Sequence, residues 1–541
     1  MRKLILVVAT LAALAAGSWL YVESQRPKGV ILISIDTLRA DRLGAYGYPL
    51  DTSPFFDEFA ARGTLFENAI VQLPGTLPSH MSIFTGLYPA EHGVYPPDRI
   101  LSNEIPTLPE MFSDAGFSTA GFTEGGYVSG HYGFERGFDE FRAVNTGKPG
   151  AAGRTFALAK DWLSQLEKGE DFFLFVHTYE VHDPYLPMEP YGENSWPREA
   201  PDVWEPTGAN LTAASEGLLD VTPEQVEYFS ALYDAGIRYV DQELRLLLEH
   251  AWAAGLSRDT TVVITSDHGE EFLEHGSFVH RQVYNETLHV PLLIRTLGQR
   301  RGQRVPELVQ SIDIAPTVLD MLGVRFDAES FSGTSLVPVF DGGDPDAESE
   351  AFAEGLSQPT RTLYRKNKDG FFQFLLTRDE RPDGRLPVGR SLIFDWALQS
   401  LTLYPTSQAG EQDLQIFVDG QLAKISTINE NGTEIEVPLA ANVRKHRIEL
   451  RVAQCPQRGE EAVGGGCVAY FLEGMRAERR ELFRIDNDPL ETRDLSDMRP
   501  ALTRDLELSL ENYRWKAKAG ALREELSEEQ VERLKALGYL Q

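Results

Sequence analysis

A threonine in the segment 75–86 has the surroundings that a nucleophile needs. Gly75 and Pro78 indicate a turn, and residues 81–84 favour a helix, so Thr76 is predicted at a helix N-terminus. Free backbone N–H groups and the positive end of the helix dipole suit an anion there. The Thr76 hydroxyl can attack only if it loses its proton, and coordination to a metal ion would lower its pKa. Because an ordinary helix start can also look like this, metal ligands must be found elsewhere.

Candidate metal ligands follow two apolar, β-branched runs. Residues 29–35 lead into Asp36, and residues 260–266 lead into Asp267 and His268. Such runs predict buried parallel strands, and open α/β sheets bind ligands beyond the carboxyl ends of their strands. One strand-end aspartate can simply cap a helix. Two such strands, one of them ending in Asp-His-Gly, instead predict a metal site. The predicted ligands are Asp36, Thr76, Asp267 and His268.

Strand-like and helical patterns alternate from residue 29 to about residue 324. The apolar runs predict strands at 30–35, 172–177, 261–266 and 290–295, and the amphipathic stretches predict helices at 52–63, 155–167 and 223–252. This alternation predicts an α/β fold with a mainly parallel sheet sandwiched by helices. We expect a catalytic domain at 29–330.

The C-terminal third has a different pattern. Residues 391–475 contain short alternating runs, and Asp419-Gly420 is a hairpin signal. We therefore expect an antiparallel β module inserted into a smaller α+β subdomain formed by residues 331–390 and 476–541. A carbohydrate-binding role and a packing or lid role are both open for this module.

The composition restricts the kinds of partner. The chain has 541 residues and a net charge of −31, from 51 basic and 82 acidic residues. Such a surface argues against nucleic acid as a partner. An anionic substrate would have to be attracted locally, by a metal ion and histidines.

The N-terminal segment is predicted to direct the chain out of the cytoplasm. Residues 4–22 are uncharged and about long enough to cross a bilayer, and Arg2-Lys3 precedes them. We expect residues 1–28 to be a signal-anchor, with a cleaved signal peptide as the alternative. The bulk of the chain would then be periplasmic or at the cell surface, anchored to the membrane.

Several motifs resemble the sulfatase branch of the alkaline phosphatase superfamily. They occur in the family's order, and the resemblance covers about 29–390 and 476–515. The matching segments are Ile35-Asp36-Thr37-Leu38-Arg39-Ala40-Asp41-Arg42-Leu43-Gly44, Thr76-Leu77-Pro78-Ser79-His80, Thr85-Gly86-Leu87-Tyr88-Pro89, His182-Asp183-Pro184-Tyr185, Ser266-Asp267-His268-Gly269-Glu270, His275-Gly276 and Glu481 to Thr492. The resemblance implies an alkaline-phosphatase-like fold and a divalent metal.

The resemblance also implies roles for further histidines. His182 matches the family's active-site histidine, which would bind the substrate anion or protonate the leaving oxygen. His280 takes the position of the family's cationic lysine, and His80 that of the arginine closing the sulfatase signature. Alternatively, His275, His280 and His182 could surround a second metal. One or two ions of Zn, Mn or Ca are compatible with these ligands.

Thr76 is the departure that bears most on the reaction. Sulfatases carry a cysteine or serine that is oxidised to formylglycine, and threonine, with its methyl group on Cβ, cannot form that aldehyde. Threonine nucleophiles are familiar in the superfamily's phosphodiesterases and phosphoalcohol transferases. The sequence therefore favours that chemistry at Thr76. The alternatives are a sulfuric ester hydrolase without formylglycine and a non-catalytic protein that binds a glycan or another anion. The expected substrate is an anionic ester, of a glycan or a lipid headgroup.

Overall fold

The computed structural model describes residues 29–534 except 145–147, 168, 189–203, 257–259, 296–298, 341–347, 357–359 and stretches within 382–469 and 514–533. The predicted membrane anchor at 4–22 lies outside the described residues. In the described part of the chain, no helix combines the length and the apolar character needed to cross a membrane.

An eight-stranded, mainly parallel sheet forms the centre of the molecule. The strands of the first 310 residues are β1 (Gly29–Ile35), β2 (Thr64–Ile70), β3 (Arg99–Ile100), β4 (Ser118–Thr123), β5 (Glu140–Ala143), β6 (Phe172–Thr178), β7 (Thr260–Thr265), β8 (Glu271–Phe272), β9 (Phe278–Val279), β10 (His289–Arg295) and β11 (Gln303–Gln310). The central sheet has the order β11-β2-β10-β7-β1-β6-β4-β5, and only β10 runs antiparallel to its neighbours. The predicted α/β class is confirmed, and all four predicted strands are present.

Helices cover both faces of this sheet. The α-helices of the described residues are α1 (Pro54–Ala60), α2 (Thr76–Thr85), α3 (Pro89–His92), α4 (Leu108–Asp114), α5 (Ala151–Leu163), α6 (Gly208–Ser215), α7 (Pro223–Ala253), α8 (Asn285–Leu288), α9 (Ile314–Leu322) and α10 (Pro500–Asn512), of which α10 packs on a C-terminal sheet instead. Alternate residues of β1 enter two different apolar clusters. Val30 and Leu32 pack on the side of α2, whereas Ile31 and Ile33 pack on the side of α5 and α7. Because both faces are buried, β1 is apolar throughout rather than alternating.

Two antiparallel sheets make up most of the C-terminal region. Their strands are β12 (Ser349–Glu354), β13 (Thr360–Asn367), β14 (Gly370–Arg381), β15 (Leu386–Pro387), β16 (Ser391–Phe394), β17 (Ser400–Ser407), β18 (Gln412–Val418), β19 (Gln421–Ile428), β20 (Ile435–Glu436), β21 (His446–Val452) and β22 (Tyr470–Arg484), and a short β23 (Leu522–Arg523) pairs with β3. The larger sheet has the order β12-β13-β14-β22-β17-β20, with β15 on β22, and the smaller has the order β16-β21-β18-β19. Strands from 391–475 thus belong to both sheets, and β22 runs across residue 475.

The larger C-terminal sheet contacts the segment that follows the strand-end site of β7. Gln373 Nε2 on β14 donates to the carbonyl of Val283 at 2.9 Å, and the hydroxyl of Tyr284 donates to Glu481 on β22 at 2.9 Å. Apolar residues on the opposite side of this sheet pack against α10, which buries Leu506 and Leu510. The C-terminal region therefore supports the catalytic edge of the central sheet.

Candidate active site

Two neighbouring strands place the predicted carboxylates together. β1 and β7 are parallel and adjacent, with Ser34 opposite Thr265. Asp36 and Asp267 each follow two residues later, so both lie just beyond the same edge of the sheet. Adjacent strands lie about 4.8 Å apart, which brings the two carboxylates within reach of one ion.

Helix α2 brings the threonine to this edge. Its N-cap, Gly75, has extended backbone (φ −175°), and every residue of α2 is buried. Ser79 Oγ donates to the carbonyl of Asp267 at 2.5 Å, which ties the first turn to the end of β7. As a result, Thr76 Oγ1 lies 3.3 Å from Asp36 Oδ2 and 3.3 Å from His268 Nε2.

The hydrogen bonds of His268 fix which nitrogen faces the site. Its Nδ1 lies 2.9 Å from the carbonyl of Gly269, which can only accept, so Nδ1 carries the hydrogen. The lone pair is therefore on Nε2, which lies 3.4 Å from Asp267 Oδ2 as well as near Thr76. A histidine that binds a metal usually has this arrangement.

The four side chains fit a divalent cation. Ligand atoms of Asp36, Asp267 and His268 lie within 4.8 Å of one another. Asp36 Oδ1 and Asp267 Oδ2 are buried and form no hydrogen bond in the described structure. Four ligands placed tetrahedrally about 2.1 Å from an ion lie about 3.4 Å apart, which matches the distances of 3.3 and 3.4 Å measured around Thr76 and His268. Three oxygens and one imidazole are compatible with Zn, Mn or Ca.

The two carboxylates of the cluster have opposite electrostatic environments. Burial and the charge of Asp267 raise the pKa of Asp36 well above its ordinary value. Burial also opposes ionisation of Asp267, but the neighbouring His268 and His80 hold its pKa well below its ordinary value. The charge of Lys148 offsets only part of this effect on Asp36, and a cation bound at the cluster would offset more of it.

Two further histidines lie behind the cluster. His80 is fully buried, and its ring nitrogens lie 2.9 Å from Ser34 Oγ and 2.9 Å from the carbonyl of Thr76. Protein groups thus occupy both ring nitrogens of His80, and a catalytic role for His80 stays a prediction. His177, for which the sequence left a site role and a core role open, lies with its Nε2 3.3 Å from Asp36 Oδ2. Its position at the end of β6, next to β1, was the available signal.

His182 and His280 lie on the other side of His268. The ring of His280 is 4.2 Å from that of His268 and 5.3 Å from that of His182, between centroids. His182 Nδ1 lies 2.8 Å from the carbonyl of Asp183, so its Nε2 bears the lone pair. His280 Nδ1 lies 3.3 Å from Glu270 Oε1. Burial lowers the pKa of His280 to about 4 and raises that of Glu270 to about 8.

A lysine that the sequence did not indicate lies beside His182. Lys148 Nζ donates to the carbonyls of His182 and of Asp183, the latter at 3.2 Å. Burial raises the pKa of Asp183 to about 7, and the charge of Glu270 adds to this effect. No motif surrounds Lys148, so only the fold could bring it to the site.

His275 does not join His182 and His280. Its Nδ1 lies 2.7 Å from Glu286 Oε1, and its Nε2 lies 3.4 Å from the carbonyl of Glu491. The proposed second-metal set of His275, His280 and His182 is therefore wrong in the position of His275, because tertiary contacts direct its ring to the C-terminal region.

Known proteins resemble this chain in sequence and in fold. A family model described as Sulfatase matches residues 28–324. The chain is 25% identical over 370 residues to a Δ4,5-hexuronate-2-O-sulfatase of Bacteroides thetaiotaomicron, covering 59% of this chain and 73% of that one. A solved structure in complex with its substrate D-glucosamine-2-N,6-O-disulfate matches with a TM-score of 0.59, 18% identity and coverage of 90% and 97%.

A phosphonate monoester hydrolase of Agrobacterium radiobacter has the same fold, with a TM-score of 0.57, 16% identity and coverage of 93% of this chain and 100% of that one. The family match covers more than half of the 541 residues. The protein is therefore a member of the sulfatase family of ester hydrolases.

Proposed function

We propose that the protein cleaves a phosphate or sulfate ester, with Thr76 Oγ1 as the nucleophile. The observation that carries this proposal is that Thr76 Oγ1 lies 3.3 Å from both Asp36 Oδ2 and His268 Nε2 at a helix N-terminus. A divalent cation bound by Asp36, Thr76, Asp267 and His268 would lower the pKa of the hydroxyl and offset charge on the ester oxygens. The backbone N–H groups at the start of α2 face the same region.

The chemical step would form a covalent ester on Thr76. Thr76 Oγ1, after losing its proton to water, bonds to phosphorus or sulfur, and the bond to the leaving alcohol breaks in line with it. At neutral pH protonated Glu270 donates a hydrogen bond to His280 Nδ1, so His280 Nε2 carries a hydrogen. As Nε2 passes this hydrogen to the departing oxygen, the Glu270 proton moves to Nδ1 and Glu270 becomes a carboxylate. Water then cleaves the Thr76 ester, or an alcohol does so in a transferase. His182 would bind the substrate anion, with Lys148 supporting its loop.

A phosphodiester is the favoured substrate, because Thr76 cannot supply the aldehyde that sulfatases use. A sulfate ester is the second candidate, and it is supported by relatives such as the hexuronate sulfatase. An ulvan-active sulfatase of Formosa agariphila, 26% identical over 357 residues, also supports a carbohydrate as the organic part. We further propose, from residues 4–22, that the enzyme acts outside the cytoplasm.

Paired substitutions at Thr76 test this function. Thr76→Ala removes the nucleophile and should lower kcat with an aryl phosphodiester by at least about 1000-fold in Zn or Mn buffer. Thr76→Ser keeps the oxygen and should retain turnover within about tenfold of wild type. An aryl sulfate assayed in parallel separates the two substrate classes. Full activity of Thr76→Ala, or no turnover of either ester by metal-loaded wild type, would reject the proposal and favour a binding protein.

A further inference from the structure

A second group of potential metal ligands lies where the loop after the active site meets the C-terminal region. His275 lies between β8 and β9, Glu286 lies in α8, and Glu491 belongs to the turn after β22. One ring nitrogen of His275 and one carboxylate oxygen of each glutamate lie within 4.8 Å of one another. Both glutamates are buried, while the His275 side chain is 14% exposed and leaves a path to solvent.

The contacts that orient these three side chains resemble those around the ligands of protein metal sites. The His275 ring stacks on Tyr284 with centroids 3.6 Å apart, and its Nε2 faces the carbonyl of Glu491 at 3.4 Å, so Nδ1 points at Glu286. Glu491 Oε2 accepts from the backbone N–H of Asn285 at 2.7 Å. Ligating histidines usually donate their other N–H to a carbonyl or carboxylate, and ligating carboxylates are held by hydrogen bonds. The contacts that orient ligands are thus already formed.

One oxygen of the group has no partner. Glu491 is only 3% exposed, and its Oε1 is buried without a hydrogen bond in the described part of the chain. A buried carboxylate oxygen in this state is costly unless a proton or a cation satisfies it. We propose that His275, Glu286 and Glu491 bind a second divalent cation, of the zinc or manganese class, which joins the active-site loop to the C-terminal turn.

Protons would compete with a cation for these ligand atoms. The distance of 2.7 Å between His275 Nδ1 and Glu286 Oε1 is that of a hydrogen bond. Burial and the charge of Glu286 raise the pKa of Glu491, and the bond to Glu286 outweighs burial and raises that of His275. Cation binding releases these protons without any redox change. The ligand atoms then separate to about 3.4 Å.

Metal stoichiometry tests this proposal directly. Full-length protein is stripped with a chelator and titrated with Zn²⁺, and bound zinc is counted by elemental analysis while Tm is recorded. Wild type should bind two equivalents, and Glu491→Gln should bind one and lose part of the zinc-dependent rise in Tm. Asp486→Asn, an amide substitution in the same turn, should keep both equivalents.

A substitution in the active site separates this proposal from the proposed function. Asp267→Asn should lose the catalytic ion and keep the ion at Glu491. If Glu491→Gln does not fold, Glu286→Gln is used in its place. Equal zinc content in wild type, Glu491→Gln and Glu286→Gln would overturn the second site and leave a cluster that holds only protons. A third result is that wild type binds a single ion that is lost in Glu491→Gln and retained in Asp267→Asn. This result would support the site at Glu491 and reject the catalytic metal site.

Discussion

The methyl group on Cβ of Thr76 restricts the chemistry available at the site. It prevents oxidation to an aldehyde, so any covalent step must use the hydroxyl itself. That hydroxyl lies 3.3 Å from both Asp36 Oδ2 and His268 Nε2, and the Thr76 side chain is only 2% exposed. A shielded hydroxyl between two potential metal ligands suits nucleophilic attack, because competing water is excluded and electrostatic effects are stronger there.

Glu270 is expected to control proton delivery. The buried Glu270 carboxyl lies 3.3 Å from His280 and has a pKa of about 8. Glu270 should therefore lose its proton as the pH rises through 8. We predict that kcat for an alkyl ester falls above pH 8, because a poor leaving group needs the proton. Glu270→Gln should lower kcat for alkyl esters by about 100-fold and should remove the decrease of kcat above pH 8. Aryl esters, which leave readily, serve as the control, and an equal loss with both would contradict the assignment.

Sequence reasoning located the residues that end strands and missed those without a motif. Asp36, Asp267 and His268 could be predicted because apolar runs lead directly into them. Lys148 lies in no motif, and Glu270 lies in one that did not indicate its role, since only tertiary packing sets the contacts of these residues with the loop of His182 and with His280.

Among the secondary-structure elements, the strands of the central sheet differ in how well the sequence predicts them. The apolar strands were predictable from their runs, but β2 and β4 were not. Glu67 and Asn68 interrupt the run of β2. β4 contains Gly121, where a Cβ would come within 2.8 Å of the Phe141 ring, so the position needs a glycine although glycine is unfavourable in strands.

Gly269 shows why the Asp-His pair is followed by a glycine. A Cβ at this position would lie 1.9 Å from the carbonyl oxygen of Glu286, and backbone cannot move aside as a side chain can. We predict that Gly269→Ala lowers the free energy of unfolding by about 2 kcal/mol or more and displaces His268. Gly236→Ala in α7, where a Cβ meets nothing closer than 3.6 Å, should be neutral or stabilising. Urea denaturation of both variants checks this, and equal midpoints would contradict the steric argument.

In the molecule as a whole, the larger C-terminal sheet supports the segment that follows the active-site loop. Hydrogen bonds from Gln373 and Tyr284 join β14 and β22 to the segment after the active-site loop. The sequence indicated antiparallel strands in this region. It could not show that strands of 391–475 divide between two sheets, because pairing in β structure depends on residues far apart in the chain.

The net charge of −31 should affect the capture of an anionic substrate. Repulsion between the surface and the substrate weakens as salt screens it over about 10 Å. We predict that kcat/KM for an anionic aryl phosphodiester rises severalfold between 10 and 150 mM NaCl, while kcat stays constant. Steady-state kinetics at both salt concentrations check this. A fall in kcat/KM would show instead that a local positive field dominates the approach.

In the proposed reaction, the Thr76 hydroxyl becomes bonded to the transferred group. The most direct measurement is peptide mass spectrometry of metal-loaded protein, acid-quenched during turnover of an aryl phosphodiester. We predict that the peptide containing Thr76 gains the mass of the phosphoryl ester in wild type and gains nothing in Thr76→Ala. Turnover with the adduct on another residue, or an adduct that persists in Thr76→Ala, would contradict the account.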